Sequence, residues 1–198
     1  FSGQHRLHAV IQSNETIRFN ARFNLPVAVA KYEDSHTKRS AADNIKMSNY
    51  DCEINNKHVA ILNSLFGKGQ KLSIDDIEQL FIKHGEIINI VLSWRGGVKR
   101  GFNAHVMGEI VKAAYYEPHE KLQSFCHVLK QGIMECTQDK TVILLREFLM
   151  GDKAHYKRNS SFIRSVKLKA RNAIGIYCSG RVVAKLYERD IDPYPIKG

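Results

Sequence analysis

Gly3-Gln4-His5-Arg6 is a run that can hold a phosphate. Ser2 precedes it, and Leu7, Val10 and Ile11 follow at helical spacing, so the run falls at a helix start. The first N–H groups of a helix have no partner within it, and the helix dipole places partial positive charge there. Gly3 allows close backbone approach to an anion, and the Arg6 guanidinium can fork onto two of its oxygens. The same residues also suit an ordinary helix start, with Ser2 as cap and His5 and Arg6 in solvent.

A second constellation is Asp34, Arg39 and Asp43. Two carboxylates near a phosphate-binding turn could hold Mg²⁺ and serve catalysis. Alternatively, Asp34 is a turn residue and Arg39 with Asp43 an i,i+4 helix pair. Two basic features suit a DNA backbone. Arg164, Lys167 and Arg171 fall at i, i+3 and i+7 opposite the apolar stripe of the last long helix, with Lys157 and Arg158 just ahead. Arg95, Lys99 and Arg100 lie among glycines in a loop, which could wrap phosphates or simply connect two helices. Tyr115, Tyr116 and Phe125 read as core rather than as base-stacking platforms. No H-E-x-x-H pattern occurs, and Cys52, Cys126, Cys136 and Cys178 have neither zinc-site nor disulfide-framework spacing, so no metal site is expected.

Ser2-Gly3-Gln4-His5-Arg6-Leu7 resembles the Asp-Gly-Gln-His-Arg-Leu signature of the ParB/sulfiredoxin-like superfamily, especially the phage "ParB-like nuclease domain" proteins, with Ser2 in place of Asp. Downstream, Leu25-Pro26 and the run Asp34 to Asp43 follow the family order. Arg39 keeps its place there, Ser40 replaces a Thr and His36 a Gly. Ala170-Arg171-Asn172-Ala173 and Asp192-Pro193-Tyr194-Pro195 resemble the closing helix and tail. The resemblance implies a nucleotide phosphate, as NTP with Mg²⁺, at Gly3, Gln4, His5 and Arg6, and an NTP-dependent or nuclease activity on DNA. Gln4 stands where sulfiredoxins carry Cys, which argues against thiol repair. It also implies a strand and helical segment ahead of Phe1. A non-catalytic module binding DNA or a host protein, and a phosphotransferase, are the alternatives.

These residues must be positioned by the elements around them. Ile17, Phe19, Ala21 and Phe23 alternate with polar residues, which predicts a strand, and residues 25–30 read as a short helix. With the helix at residue 3, this makes residues 1–50 the remnant of a ParB-like α/β unit. Residues 51–198 read as a helical domain of five to six helices: 56–66, a long helix begun by Ser73 and reaching Trp94, 104–116, one starting near Pro118 and ending near Gly132, 141–150 and 160–177. Thr141 to Met150 is apolar nearly all round and is expected to be the buried central helix. Val182 to Leu186 reads as a short strand or an irregular tail. The fold class is therefore α+β, mostly helical.

The chain has 198 residues, 43% apolar and 25% charged, ordinary for a folded domain. Thirty Lys and Arg against 20 Asp and Glu give +10, which favours polyanionic partners. No apolar run spans a membrane and no signal pattern occurs. DNA and a nucleotide are the expected partners, with no membrane, and a homodimer is left open. The expected location is the cytoplasm, that of the host if the chain is phage-encoded.

Overall fold

The computed structural model describes residues 4–18, 24, 26, 39–48, 53–67, 69–96, 101–151 and 159–196, with only the backbone for residues 4–6 and 48. Among these residues there are eight α-helices and no strand. They are α1 (Gln4–Ser13), α2 (Ala41–Ser48), α3 (Asn56–Phe66), α4 (Ile74–Arg95), α5 (Ala104–Ala113), α6 (His119–Gln131), α7 (Lys140–Met150) and α8 (Ser160–Cys178). The chain divides into two compact units, Phe1–Val59 and Ala60–Gly198, with the boundary inside α3.

The mostly helical expectation holds, and among the described residues no strand supports the expected α/β unit. Ile17 and Arg18 have irregular backbone, and the rest of the expected strand, residues 19–23, lies outside the described residues. So does most of the expected helix at residues 25–30. After α8 the backbone is irregular, including Val182 to Leu186, and the Tyr187 carbonyl accepts from the Asn172 side chain of α8.

In the first unit, Ser40 starts α2 through reciprocal bonds with Asp43. The Asp43 amide donates to Ser40 Oγ at 3.2 Å, and the Ser40 amide donates to Asp43 Oδ2 at 3.2 Å. Ala42, Ile45 and Ile54 are buried.

In the second unit the starts follow local rules. Ser73 Oγ accepts from the Asp76 amide at 3.1 Å, Asn103 Oδ1 from His105 and Val106, and Asn159 Oδ1 from Phe162. Gly132 ends α6 in the left-handed region at φ 71°, where a side chain would be strained. The central helix is α5, not α7. Residues Val106 to Ala113 of α5 are all buried, whereas α7 buries Thr141, Val142 and Leu145. Two features permit this. Gly108 lets Leu65 of α3 come so close that a Cβ there would lie 3.3 Å from it, and the two charges on α5 find partners, as described below. Helix α8 packs chiefly on α5 and α7, and α6 on α4 and α7. Leu122, Phe125, Cys126 and Leu129 form the buried face of α6, as their spacing predicts, and burial pushes the Cys126 thiol up to about 12. Val166, Ala170, Ala173 and Tyr177 do the same for α8.

Tyr115 and Tyr116, expected in the core, are at the surface. They follow the end of α5, where the Tyr115 ring packs edgewise on His84, the Tyr116 ring lies tilted against Tyr194, and their hydroxyls find partners: Tyr115 with His84 Nδ1 at 2.7 Å, and Tyr116 with the Pro195 carbonyl.

Candidate functional site

Glu109 and Lys112 sit one turn apart on α5, surrounded by Val106, Met107, Ile110 and Val111, and both are buried. An ionised carboxylate there must be paired or it would destabilise the fold. Arg171 of α8 meets it with both arms of its guanidinium: Nε donates to Glu109 Oε2 at 2.8 Å and Nη2 to Oε1 at 3.2 Å. Lys112 lies 3.5 Å from the same carboxylate and also donates to Asp192, which lies 3.5 Å from Arg171. Lys167, one turn before Arg171, donates to the Ser64 carbonyl near the end of α3. Ser64 Oγ bonds His105 Nδ1 at 2.8 Å.

Two cations, Lys112 and Arg171, therefore converge on two carboxylates, with Lys167 beside them on the Ser64 carbonyl. Burial opposes the Lys167 charge and lowers its pKa; Glu109 counters this only in part, and Lys112 and Arg171 add to the lowering. Burial also works against Arg171, but the bonds and charge of Glu109 outweigh it and raise its pKa. For Asp192, burial pushes upward, yet the Lys112 bond, the Tyr194 amide and the neighbouring cations hold it below the usual carboxylate range.

Two recesses flank this cluster. One, of about 270 Å³, is walled by Leu65, Phe66, Lys112, Lys167, Arg171 and Ile196. The other, of about 420 Å³, lies between α8 and the segment after it, with Arg181, Arg189, Tyr116, Ile176 and Ile191 on its walls. The second is within the size range of small-ligand sites.

The sequence-nominated residues are distributed differently from expectation. Gln4, His5 and Arg6 open α1, while Gly3 lies outside the described residues. Asp34, Lys99, Arg100, Lys157 and Arg158 also lie outside them. Asp43 is engaged by Ser40, whose side-chain and backbone bonds hold its carboxyl below the ordinary range, and Arg39 donates to Met47 Sδ. Arg95 is half-buried at the last turn of α4. Of the expected DNA-facing trio, Arg164 is exposed and bonds Asp190 at 2.6 Å, whereas Lys167 and Arg171 are turned into the cluster. The face opposite the apolar stripe is thus only partly an outer face: toward its C-terminal half the charged pair on α5 and Asp192 of the tail meet it.

Glu109, Lys112 and Asp192 were not anticipated. The available signal was a charged i,i+3 pair inside an otherwise apolar helix, which demands counter-charges elsewhere. The structure also joins the two segments set apart at the end of the sequence. Arg171 pairs with Asp192, Asn172 Nδ2 donates to the Tyr187 carbonyl at 2.9 Å, and Tyr194 is buried with its hydroxyl donating to Glu117 Oε1 at 2.8 Å.

Among the described residues no three His, Cys, Asp or Glu side chains are grouped to hold a metal, and no helix is long and apolar enough to cross a membrane. No protein-family model, curated protein or solved structure matches the chain.

Removing the Glu109 charge should be severe. Glu109→Ala leaves Arg171 and Lys112 short of a buried partner and is expected to lower unfolding free energy by about 3 kcal/mol in urea titrations. Glu109→Leu combined with Arg171→Met should recover much of that loss, since a paired apolar replacement leaves no orphan charge. His105 supplies a pH test. Burial first, then Lys167, lowers its pKa, while Glu109 opposes this. The unfolded state therefore binds the proton more readily. The His105 contribution to stability is complete above about pH 6.5 and declines as pH falls from there through the lower folded-state pKa. Melting curves of His105→Gln should show less decline over that window than those of the native chain.

Proposed function

We propose that the protein binds a nucleotide phosphate at the Gly3-Gln4-His5-Arg6 turn and DNA through its basic helical unit, as a phage-type ParB-like protein acting in NTP-dependent DNA handling or cleavage. The observation that carries the reading is that α1 begins at Gln4. Its unpartnered N–H groups then fall within the four-residue run, where the resemblance places the phosphate. The charge of +10 supports a polyanion as the second ligand. Since Lys167 is held by the Ser64 carbonyl and Arg171 by Glu109, exposed Arg181 and Arg189 are the cations on this side best able to reach phosphate oxygens directly, with Arg164 shared with Asp190.

A second reading, a non-catalytic DNA-binding module, is favoured by the state of Asp43. Its carboxylate is closed into the start of α2, which leaves it poorly placed to ligate Mg²⁺. Under this reading the DNA contacts are the same and no NTP is turned over.

Labelled NTP with Mg²⁺ should bind the native chain, and Arg6→Ala should abolish that binding in equilibrium filtration; full affinity in the variant removes the site assignment. Binding to a DNA duplex should weaken at least about tenfold between roughly 50 and 200 mM salt, as release of condensed counterions requires. A flat salt profile would remove the electrostatic reading.

A further inference from the structure

Helix α8 carries four cations, Arg164, Lys167, Lys169 and Arg171, and no carboxylate. The segment after it contains three acids, Glu188, Asp190 and Asp192, at every second residue. All three return to the polar side of α8 and its neighbour α5. Ser165 Oγ donates to Glu188 Oε1 at 2.5 Å, Arg164 Nη2 donates to Asp190 Oδ2 at 2.6 Å, and Asp192 takes Lys112 and Arg171. Asp190 thus holds exposed Arg164, a cation that would otherwise face solvent.

The segment does not fill the face it covers. It is anchored by buried Leu186 and Tyr194, and between these anchors Glu188 to Pro193 is exposed. The 420 Å³ recess lies beneath this stretch and the 270 Å³ recess beside it, with Arg171 on the wall of both. Arg181 and Arg189 line the larger one and make no ion pair among the described residues. The face thus combines cations held by internal carboxylates, further cations not so held, and open volume.

We infer that the polar side of α8 is a binding site for the DNA phosphodiester backbone whose resident occupant is the chain's own tail, so that Glu188, Asp190 and Asp192 compete with DNA phosphates for exposed Arg164 and for the surface around Arg181 and Arg189. The inference rests on the DNA-binding reading above and adds its regulation. Each tail carboxylate meets one or two partners, whereas a polyanion engages several exposed cations at once, here Arg164, Arg181 and Arg189.

The test compares the native chain, the triple variant Glu188→Gln/Asp190→Asn/Asp192→Asn, and a control with the same change in net charge on other helices, Glu86→Gln/Glu120→Gln/Glu147→Gln. Affinity for a labelled DNA duplex is measured by anisotropy. The tail variant is expected to bind about tenfold tighter than the native chain, and the control no more than about threefold tighter, the general effect of added positive charge. Because Asp192 partners buried Lys112, the double variant Glu188→Gln/Asp190→Asn, which alters only exposed acids, is measured alongside and should bind tighter than a matched Glu86→Gln/Glu120→Gln control. Tail variants that bind no tighter than their controls, while the native chain binds with salt dependence, overturn the inference alone. No binding by any variant at low salt overturns it together with the DNA reading. As a second readout, DNA should speed amide hydrogen exchange at residues 187–193; unchanged or slower exchange there in the bound state counts against displacement.

Discussion

The helical unit depends on one buried carboxylate. Glu109 lies on a helix whose other neighbours are apolar, and its desolvation would be prohibitive without Arg171 on one side and Lys112 on the other. That requirement fixes the rotation of α8 about its axis, since the guanidinium must present both donors to α5. It thereby also fixes the apolar stripe of Val166, Ala170, Ala173 and Tyr177 on the adjoining face. Hydrophobic burial drives the helices together, but it does not choose among rotations that bury similar areas. The ion pair adds a directional constraint, because a rotation that turned Arg171 away from α5 would leave Glu109 without its bidentate partner.

The same pair sets the course of the chain after α8. Lys112 needs more negative charge than its share of Glu109, and Asp192 supplies it. With Tyr194 bonded to Glu117 and packed against Tyr116 at 5.9 Å, the tail is held at the open end of α5. An irregular segment can be ordered in this way without strands, because its polar groups are satisfied by helix side chains such as Asn172.

How much of this was legible in the sequence depends on the range of the interaction. Helix starts at Ser73, Asn103 and Asn159 and the stop at Gly132 are decided within a few residues, and the sequence pattern located the corresponding helices closely. Amphipathic faces on α6 and α8 were legible for the same reason. Which helix is central was not. Thr141 to Met150 is the more apolar run, yet α5 is more deeply buried, because a small residue at Gly108 and a neutralised charge pair let it accept neighbours on every side. Those conditions involve Leu65, Arg171 and Asp192, none close in sequence. The basic trio on α8 was misjudged through the same gap: a period of 3.6 separates faces but does not say which polar face another element will cover.

The consequence for charge is specific. The cluster sets Lys112, Lys167 and Arg171 against Glu109 and Asp192, so it absorbs one unit of positive excess out of +10. Most of the excess must therefore be carried by side chains outside the cluster. Self-repulsion among those like charges works against the compact state, and the tail relieves part of it outside the cluster, where exposed Arg164 is met by Asp190.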